Sequence, residues 1–340
     1  MSSKPTIYDV ADAAGVAIST VSRVLNDSPE VSDSTRARVQ EAIDALDFQP
    51  QRSARSLATK QTLSLAVAMP SFTSLFFVEI LKGVKDVLRE HDIDLLLCNL
   101  GSQAPTAMLR RFLSRGAVGG LMLASTPVDE TISRELRRLQ GPVVLLGSRH
   151  EDFDSIWWDD AAGAAMATQH LTDLGHERIG LISAHSWSVS ASPRLEGYRR
   201  ALEAAGLRFD PDLVVAGDTT KHAGYSEEAG AESLAKLMAL DDPPTAVFAA
   251  SDVQAYGAWS YARDNGIRVP RDLSIVGYDD LKLSRYLDLT SVSQRMMHVG
   301  ERAASLLMSR LTGSGEPGVA RLDHQVDLEL VERGSSGPVA

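Results

Sequence analysis

The chain has 340 residues, 44% hydrophobic and 23% charged, with a formal net charge of −11 and a single cysteine. This is the composition of a globular protein of more than one domain. It excludes a disulfide framework within one chain and holds no apolar run of the roughly 18 residues that a spanning helix needs. No secretory leader is visible at the N-terminus, so a cytoplasmic protein without membrane contact is expected.

The first sixty residues carry seven Lys/Arg against eight Asp/Glu, so the head is near −1 and the remainder near −10. Thr6 and Asp9 have the spacing of a capping box. Ile7, Val10, Ala11 and Ala14 follow at i, i+3, i+4 and i+7, one apolar helical stripe, which Gly15 ends. After three or four connecting residues, Val21, Val24 and Leu25 give a second stripe and leave Ile18, Ser19, Ser22, Arg23 and Asn26 on the outer face. Two helices joined so tightly are a helix-turn-helix candidate. A third helix begins at Ser32, and its Val39, Ala42, Ile43 and Leu46 can close a miniature core over the other two. Residues 1–48 form this DNA-binding head, and 49–61 form a basic, Pro-gated hinge and linker.

From about residue 62 strands and helices alternate, which argues parallel, doubly wound sheets. Strands are expected at Leu63–Met69, Asp94–Cys98, Gly119–Ala124 and Pro142–Leu146. A second set starts near Trp157, with strands at Arg178–Ser183, near Leu213, at Thr245–Ala249 and at Leu273–Gly277. Cys98 reads as inert core. The fold class is therefore α/β: a small all-α helix-turn-helix head and two doubly wound lobes over 62–332. Ligands of such sheets bind at the carboxyl ends of the strands. Residues 333–340, rich in Gly and Ser, read as a disordered tail.

The run Thr6-Ile-Tyr-Asp-Val-Ala-Asp-Ala-Ala-Gly-Val, then Ser19-Thr-Val-Ser-Arg-Val-Leu-Asn26, Val31-Ser-Asp-Ser-Thr-Arg36 and Gln49-Pro-Gln-Arg-Ser-Ala-Arg-Ser-Leu-Ala58, closely resembles the lactose-repressor (LacI/GalR) family of bacterial transcription regulators. The resemblance extends over nearly the whole chain. It implies lobes of periplasmic-binding-protein type with crossings near 162, 291 and 325. The N-lobe then comprises about 62–161 and 292–324, and the C-lobe about 162–291 and 325–332. It also implies a homodimer on a palindromic double-stranded DNA operator, expected to form through the N-lobe helices.

In the head, short polar side chains at the start of the second helix suit the major groove. Thr6, Ile18, Ser19, Thr20, Ser22, Arg23 and Asn26 are the expected contacts. By resemblance, Ile18 and Ser19 discriminate operators and Arg23 meets guanine. Ala17 stands where most relatives have a Ser cap, a loss of about 1 kcal/mol. In the hinge, Leu57 matches the family's leucine inserted between base steps, with Ala54 at the contact between paired hinge helices and Arg55 near phosphate, and Arg52 is a further expected DNA contact. A helix of about eight residues does not hold alone in water, so folding on DNA is expected.

For the effector, Arg194 in Ser190-Ala-Ser-Pro-Arg-Leu-Glu-Gly-Tyr198 and Asp279 in Ile275-Val-Gly-Tyr-Asp-Asp280 match the family's ligand-binding arginine and aspartate. The arginine fork suits vicinal hydroxyls or a carboxylate. Ser251 and Asp252 open a helix after a strand, and Phe76 and Phe77 start a helix on the facing lobe. Thr219 stands where relatives have an aromatic, so Trp158 and Trp187 are the expected apolar platform. A sugar or sugar derivative is favoured.

Gly313-Ser-Gly-Glu-Pro-Gly318 matches a dinucleotide string but follows a helix and contains proline, so it reads as a loop. No catalytic motif, metal-ligand spacing or cofactor signature stands out, and an enzyme is not expected. Two alternatives stay open: a cytoplasmic small-molecule binder of periplasmic-binding type without operator function, and a regulator dependent on a nucleobase corepressor.

Overall fold

The computed structural model describes residues 5–25, 28–48, 64–91, 93–101, 104–115, 118–313 and 320–339. The chain divides into two compact units, Met1–Thr62 and Leu63–Ala340.

The first unit contains three helices, α1 (Ile7–Ala14), α2 (Ile18–Leu25) and α3 (Asp33–Ala45). The backbone N–H and hydroxyl of Thr6 both donate to Asp9 Oδ2 at 2.7 Å, which fastens the first turn of α1. Gly15 adopts the left-handed conformation (φ 62°) that closes the helix, and α2 begins three residues later. Ala17 starts α2 with its carbonyl, which accepts from Thr20 and Val21. Val10, Ala11, Ala14, Val21, Val24, Val39, Ala42 and Phe48 form the buried core of this unit.

The second unit consists of two lobes. The N-lobe is built from β1 (Ser64–Met69), α4 (Leu75–Leu88), β2 (Asp94–Asn99), α5 (Pro105–Leu113), β3 (Gly120–Ala124), α6 (Glu130–Arg137), β4 (Val143–Leu146) and β5 (Asp154–Trp157). The C-lobe follows with α7 (Asp160–Asp173), β6 (Ile179–Ser183), α8 (Ala191–Ala204), β7 (Val214–Ala216), α9 (Glu227–Met238), β8 (Ala246–Ala249), α10 (Asp252–Asp264), β9 (Ser274–Asp279), α11 (Lys282–Tyr286) and β10 (Thr290–Ser293). The chain then returns to the N-lobe through α12 (Met296–Thr312) and β11 (Asp323–Gln325), and ends in the C-lobe with β12 (Glu329–Val331). Three segments, near 157–160, 293–296 and 325–329, thus join the lobes.

Strand order is β11-β5-β4-β3-β1-β2 in the N-lobe and β12-β10-β9-β8-β6-β7 in the C-lobe. The paired strands are parallel except β10 with β12. The inner strands β1, β3, β4, β6, β8 and β9 are covered on both faces and are buried along their whole length rather than alternately. In β1, Leu65, Val67 and Met69 face α4 and α12, while Ala66 and Ala68 face the opposite cluster with Leu109 and Leu136. α4 and α12 meet backbone to backbone. A Cβ added at Gly83 would come within 1.9 Å of the Met297 carbonyl, and one at Gly300 within 2.1 Å of the Ile80 carbonyl.

One expectation is corrected. Residues 333–339 are not a disordered tail but lie against the C-lobe sheet. Ser335 is fully buried, donates its hydroxyl to the Ile275 carbonyl (2.6 Å) and accepts from the Thr290 N–H (2.8 Å). The Ile275 N–H donates to the Ser335 carbonyl, and His176 Nε2 to that of Gly337 at 3.0 Å. Small residues read as disorder in composition, yet here they let the chain fit between strand ends. Deleting residues 334–340 leaves buried backbone groups unpaired at about 1–3 kcal/mol each. The expected result is a melting midpoint lower by several degrees in a thermal-shift measurement. An unchanged midpoint would show that the tail contributes nothing.

Candidate functional site

The head presents a polar helix face. Ile18 is 41% exposed, Ser19 and Arg23 are exposed, and Thr20 and Ser22 are half-buried at the start of α2. Arg23 Nε lies 3.8 Å from Glu30 Oε2 with both side chains largely in solvent, a pair too weak to hold the guanidinium back from another anion. Thr6 is exposed but engaged with Asp9. Asn26, Arg52, Ala54, Arg55 and Leu57 lie outside the described residues.

Between the lobes is a cavity of about 520 Å³, bounded by the carboxyl ends of both sheets. Its two walls differ in chemistry. The N-lobe wall is aromatic: Phe76 stands edge-on to Phe77 (5.0 Å between centroids) and to Trp158 (5.9 Å). Trp158 lies over Gly147, where an added Cβ would come within 2.7 Å of the indole. Ser71, Ser74, Ser125 and Thr126 supply the hydroxyls of this side.

The C-lobe wall is charged. Arg194, 5% exposed, enters from the first turn of α8. Its Nε donates to Asp160 Oδ1 at 2.9 Å, its Nη2 lies 2.8 Å from the same oxygen, and its Nη1 donates to the Ala250 carbonyl. The guanidinium stacks 3.8 Å above the Tyr278 ring and stands 5.7 Å from that of Tyr225. Asp160 is the first residue of α7, whose cap is the Asp159 carboxylate accepting from Ala161 and Ala162. Asp279 ends β9 with φ 116°, and Asp280 follows with φ 51°. Strain of this kind in non-glycine residues concentrates at functional sites, where surrounding contacts hold it. Burial pushes the Asp279 carboxyl well above the ordinary range, Arg194 opposes this, and Asp252 and Asp160 add to it.

Of the effector residues expected from sequence, Phe76, Phe77, Trp158, Trp187, Arg194, Ser251 and Asp279 line this one cavity, and Thr219 and Asp252 do not. Asp252 is fully buried behind it and accepts from Leu281 N–H (2.7 Å), Ser291 Oγ (2.5 Å) and Ser284 Oγ. It is therefore a fold-organising acceptor, not a ligand group. Thr219 turns its N–H to Glu232 and its carbonyl to His185 Nε2, so that Thr220, His222 and Tyr225 line the cavity in its place. Ser251 caps α10, accepting from Gln254 N–H at 3.2 Å. Asp160 and Tyr225 were missed in the sequence reading. For Asp160 the signal was present, since Asp159-Asp160 opens a helix directly after a strand end, as Ser251-Asp252 does. For Tyr225 none was.

Comparison with known proteins bears on both units. Residues 6–51 match the model of the lacI family of bacterial regulatory proteins, and residues 168–336 that of the periplasmic binding protein-like domain. Catabolite control protein A of Priestia megaterium is 33% identical over 331 residues, 95% of this chain and 98% of that one. The chain belongs to the LacI family. Two solved structures are similar over nearly the whole chain. The transcriptional regulator CelR in complex with cellobiose is 32% identical (TM-score 0.68; 97% of this chain, 99% of that one). The lac repressor dimer bound to operator and the anti-inducer ONPF is 28% identical (TM-score 0.79; 98% and 99%). Like other members of the LacI family, the chain is a regulator in which a DNA-binding head is joined to an effector-binding core. Among the described residues no helix is long and apolar enough to cross a membrane, and no cluster of His, Cys, Asp and Glu could hold a metal ion.

Proposed function

We propose that this protein is a cytoplasmic, non-catalytic repressor that binds a palindromic operator as a homodimer and releases or grips it according to a sugar-like effector in the interlobe cleft. The observation that carries the reading is the split chemistry of the cleft, with Arg194, Asp160 and Asp279 on one lobe and Phe76 and Trp158 on the other. Hydroxyl-rich ligands with apolar ring faces need both kinds of wall, and a ligand touching both lobes acts through its different affinity for their two arrangements. The CelR–cellobiose complex supports the sugar class, and the operator complex of the lac repressor supports the DNA partner.

In this reading Ile18, Ser19, Thr20, Ser22 and Arg23 meet base edges or phosphates in the major groove, and Leu57 enters the minor groove flanked by Ala54, Arg55 and Arg52. Thr6 and Asn26 contact the backbone.

The test is selection of a binding site from random palindromes, followed by fluorescence anisotropy at two salt concentrations. Arg23→Ala is expected to weaken the selected site by about 1–3 kcal/mol, roughly 5- to 150-fold, with a smaller effect on random DNA. Failure to enrich any palindrome would leave the binder without operator function standing. Operator binding that appears only when a nucleobase is present would favour the corepressor reading.

A further inference from the structure

We propose that the effector is an uncharged glycoside of at least two rings, the first held at Arg194, Asp160 and Asp279 and the second laid on Trp187. The inference rests on the sugar reading of the cleft and narrows it.

The charge of the site argues first. Among the described residues lining the cavity, the charged side chains are Asp160, Arg194 and Asp279, with His222 as a fourth titratable group. Arg194 already has its Nε and Nη2 on Asp160 and its Nη1 on a carbonyl, so its charge is met within the protein. A phosphate or carboxylate brought to this wall would meet one cation already neutralised within the protein, with the Asp160 carboxylate beside it. In a largely buried cleft that repulsion is weakly screened. Anion sites instead present several cationic donors. Hydroxyl groups suit this wall, since each can donate to a carboxylate while accepting from an arginine N–H.

Trp187 is placed to carry the second ring. Phe77 and Trp158 are buried, but Trp187 is 55% exposed at the cavity rim. One face of its indole is stacked on His185, with centroids 4.1 Å apart and planes within 7°. His185 is itself fastened: its Nε2 donates to the Thr219 carbonyl at 2.9 Å, and its backbone N–H to the Ala223 carbonyl at 2.9 Å. The tryptophan is thus propped in place, with its ring face available to a ligand. A polar wall connects it to the arginine. Ser190 Oγ lies 2.7 Å from Tyr225 Oη, Ser188 Oγ donates to the same oxygen, and Tyr225 in turn faces the guanidinium. Apolar sugar faces stack on indole, and a pre-ordered ring loses little freedom on binding. A cavity of about 520 Å³ is also larger than one hexose requires and falls within the range that encloses drug-sized ligands.

The experiment is calorimetric titration of the full chain with glucose, galactose and mannose, with cellobiose, maltose and lactose, and with glucose 6-phosphate and gluconate. At least one disaccharide is expected to bind ten-fold or more tighter than its constituent hexoses, and both anions more weakly than glucose. Trp187→Ala should bring that disaccharide down to the affinity of its hexose and leave the hexose unchanged. Its exposed site makes the substitution harmless to folding, which the unchanged melting midpoint would verify. Hexose binding equal to disaccharide binding, indifference to Trp187→Ala, or tighter binding of the phosphate would each overturn the proposal while leaving the sugar reading intact. Binding of none of the eight compounds by protein that still holds its operator would overturn both.

Discussion

Arg194→Ala is expected to give a protein that binds operator normally but has lost its response to effector, with ligand affinity reduced at least 100-fold. The side chain joins the ligand wall to the fold. Removing it leaves the Asp160 carboxylate without its cation, the Ala250 carbonyl without its donor and the Tyr278 ring face uncovered. Breaking a buried pair from one side typically costs about 3–5 kcal/mol, because the remaining charge stays buried and unpaired. The melting midpoint should therefore fall by roughly ten degrees as ligand binding disappears. Arg194→Lys separates the two effects. A lysine keeps the charge near Asp160 but cannot hold Asp160 and Ala250 together in one planar fork. It should recover most of the stability and little of the binding. Calorimetry and thermal shift on the two variants check this, and wild-type ligand affinity in Arg194→Ala would remove the arginine from the site.

The second large effect concerns Asp252 and has a definite sign with pH. Burial pushes its carboxyl from the ordinary carboxylate range up to about 7, despite the donors Ser284, Ser291 and Leu281 N–H that favour the ionised form. In the unfolded chain the group ionises near pH 4. Between pH 4 and 7 the folded state therefore holds protons that the unfolded state has released, and stability falls as pH rises through this window. Asp279, raised in the same direction, adds to the slope. Asp252→Asn should flatten the dependence of the melting midpoint from pH 5 to 8, and should relieve Asp279 of a neighbouring charge. Asp252→Leu should be far worse. It leaves the buried Leu281 N–H and the Ser291 hydroxyl without an acceptor, each at about 1–3 kcal/mol, and throws the Ser284 hydroxyl back on Tyr256 alone, so folded protein should be scarce. An unaltered pH slope in Asp252→Asn would assign the slope to other groups.

The residues that could be placed from sequence are those whose direction is set locally. The three head helices follow from apolar spacing within a dozen residues, and Val10, Val21 and Val39 are fully buried as that spacing requires. Asp279 ends a strand and Arg194 stands in the first turn of the helix that follows one, the carboxyl side of the sheet where the cleft lies. Asp252 has the same local context but the opposite fate. Its partners Ser284 and Ser291 are 32 and 39 residues away, and nothing near it in sequence announces that they turn it inward. Thr219 is tied to Glu232 and His185, 13 and 34 residues away, and the turn that follows it takes left-handed backbone at His222 and Ala223 (φ 50° and 59°), which neither residue type advertises. Tyr225, which lines the site, follows directly on that turn. The tail was misread for a related reason: Ser335 is buried by strands formed 45 and 60 residues earlier.

The cleft has one further consequence, which lies in the ownership of its walls. The charged clasp belongs wholly to the C-lobe, and the Phe76–Trp158 platform wholly to the N-lobe. A compound that satisfies the clasp alone can saturate the protein without changing the balance between lobe arrangements, because it has no preference between them. Occupancy and response are then separable properties, and a truncated or reshaped analogue of the natural signal becomes its competitor. Within one cleft, the distance between agonist and antagonist is a single ring face.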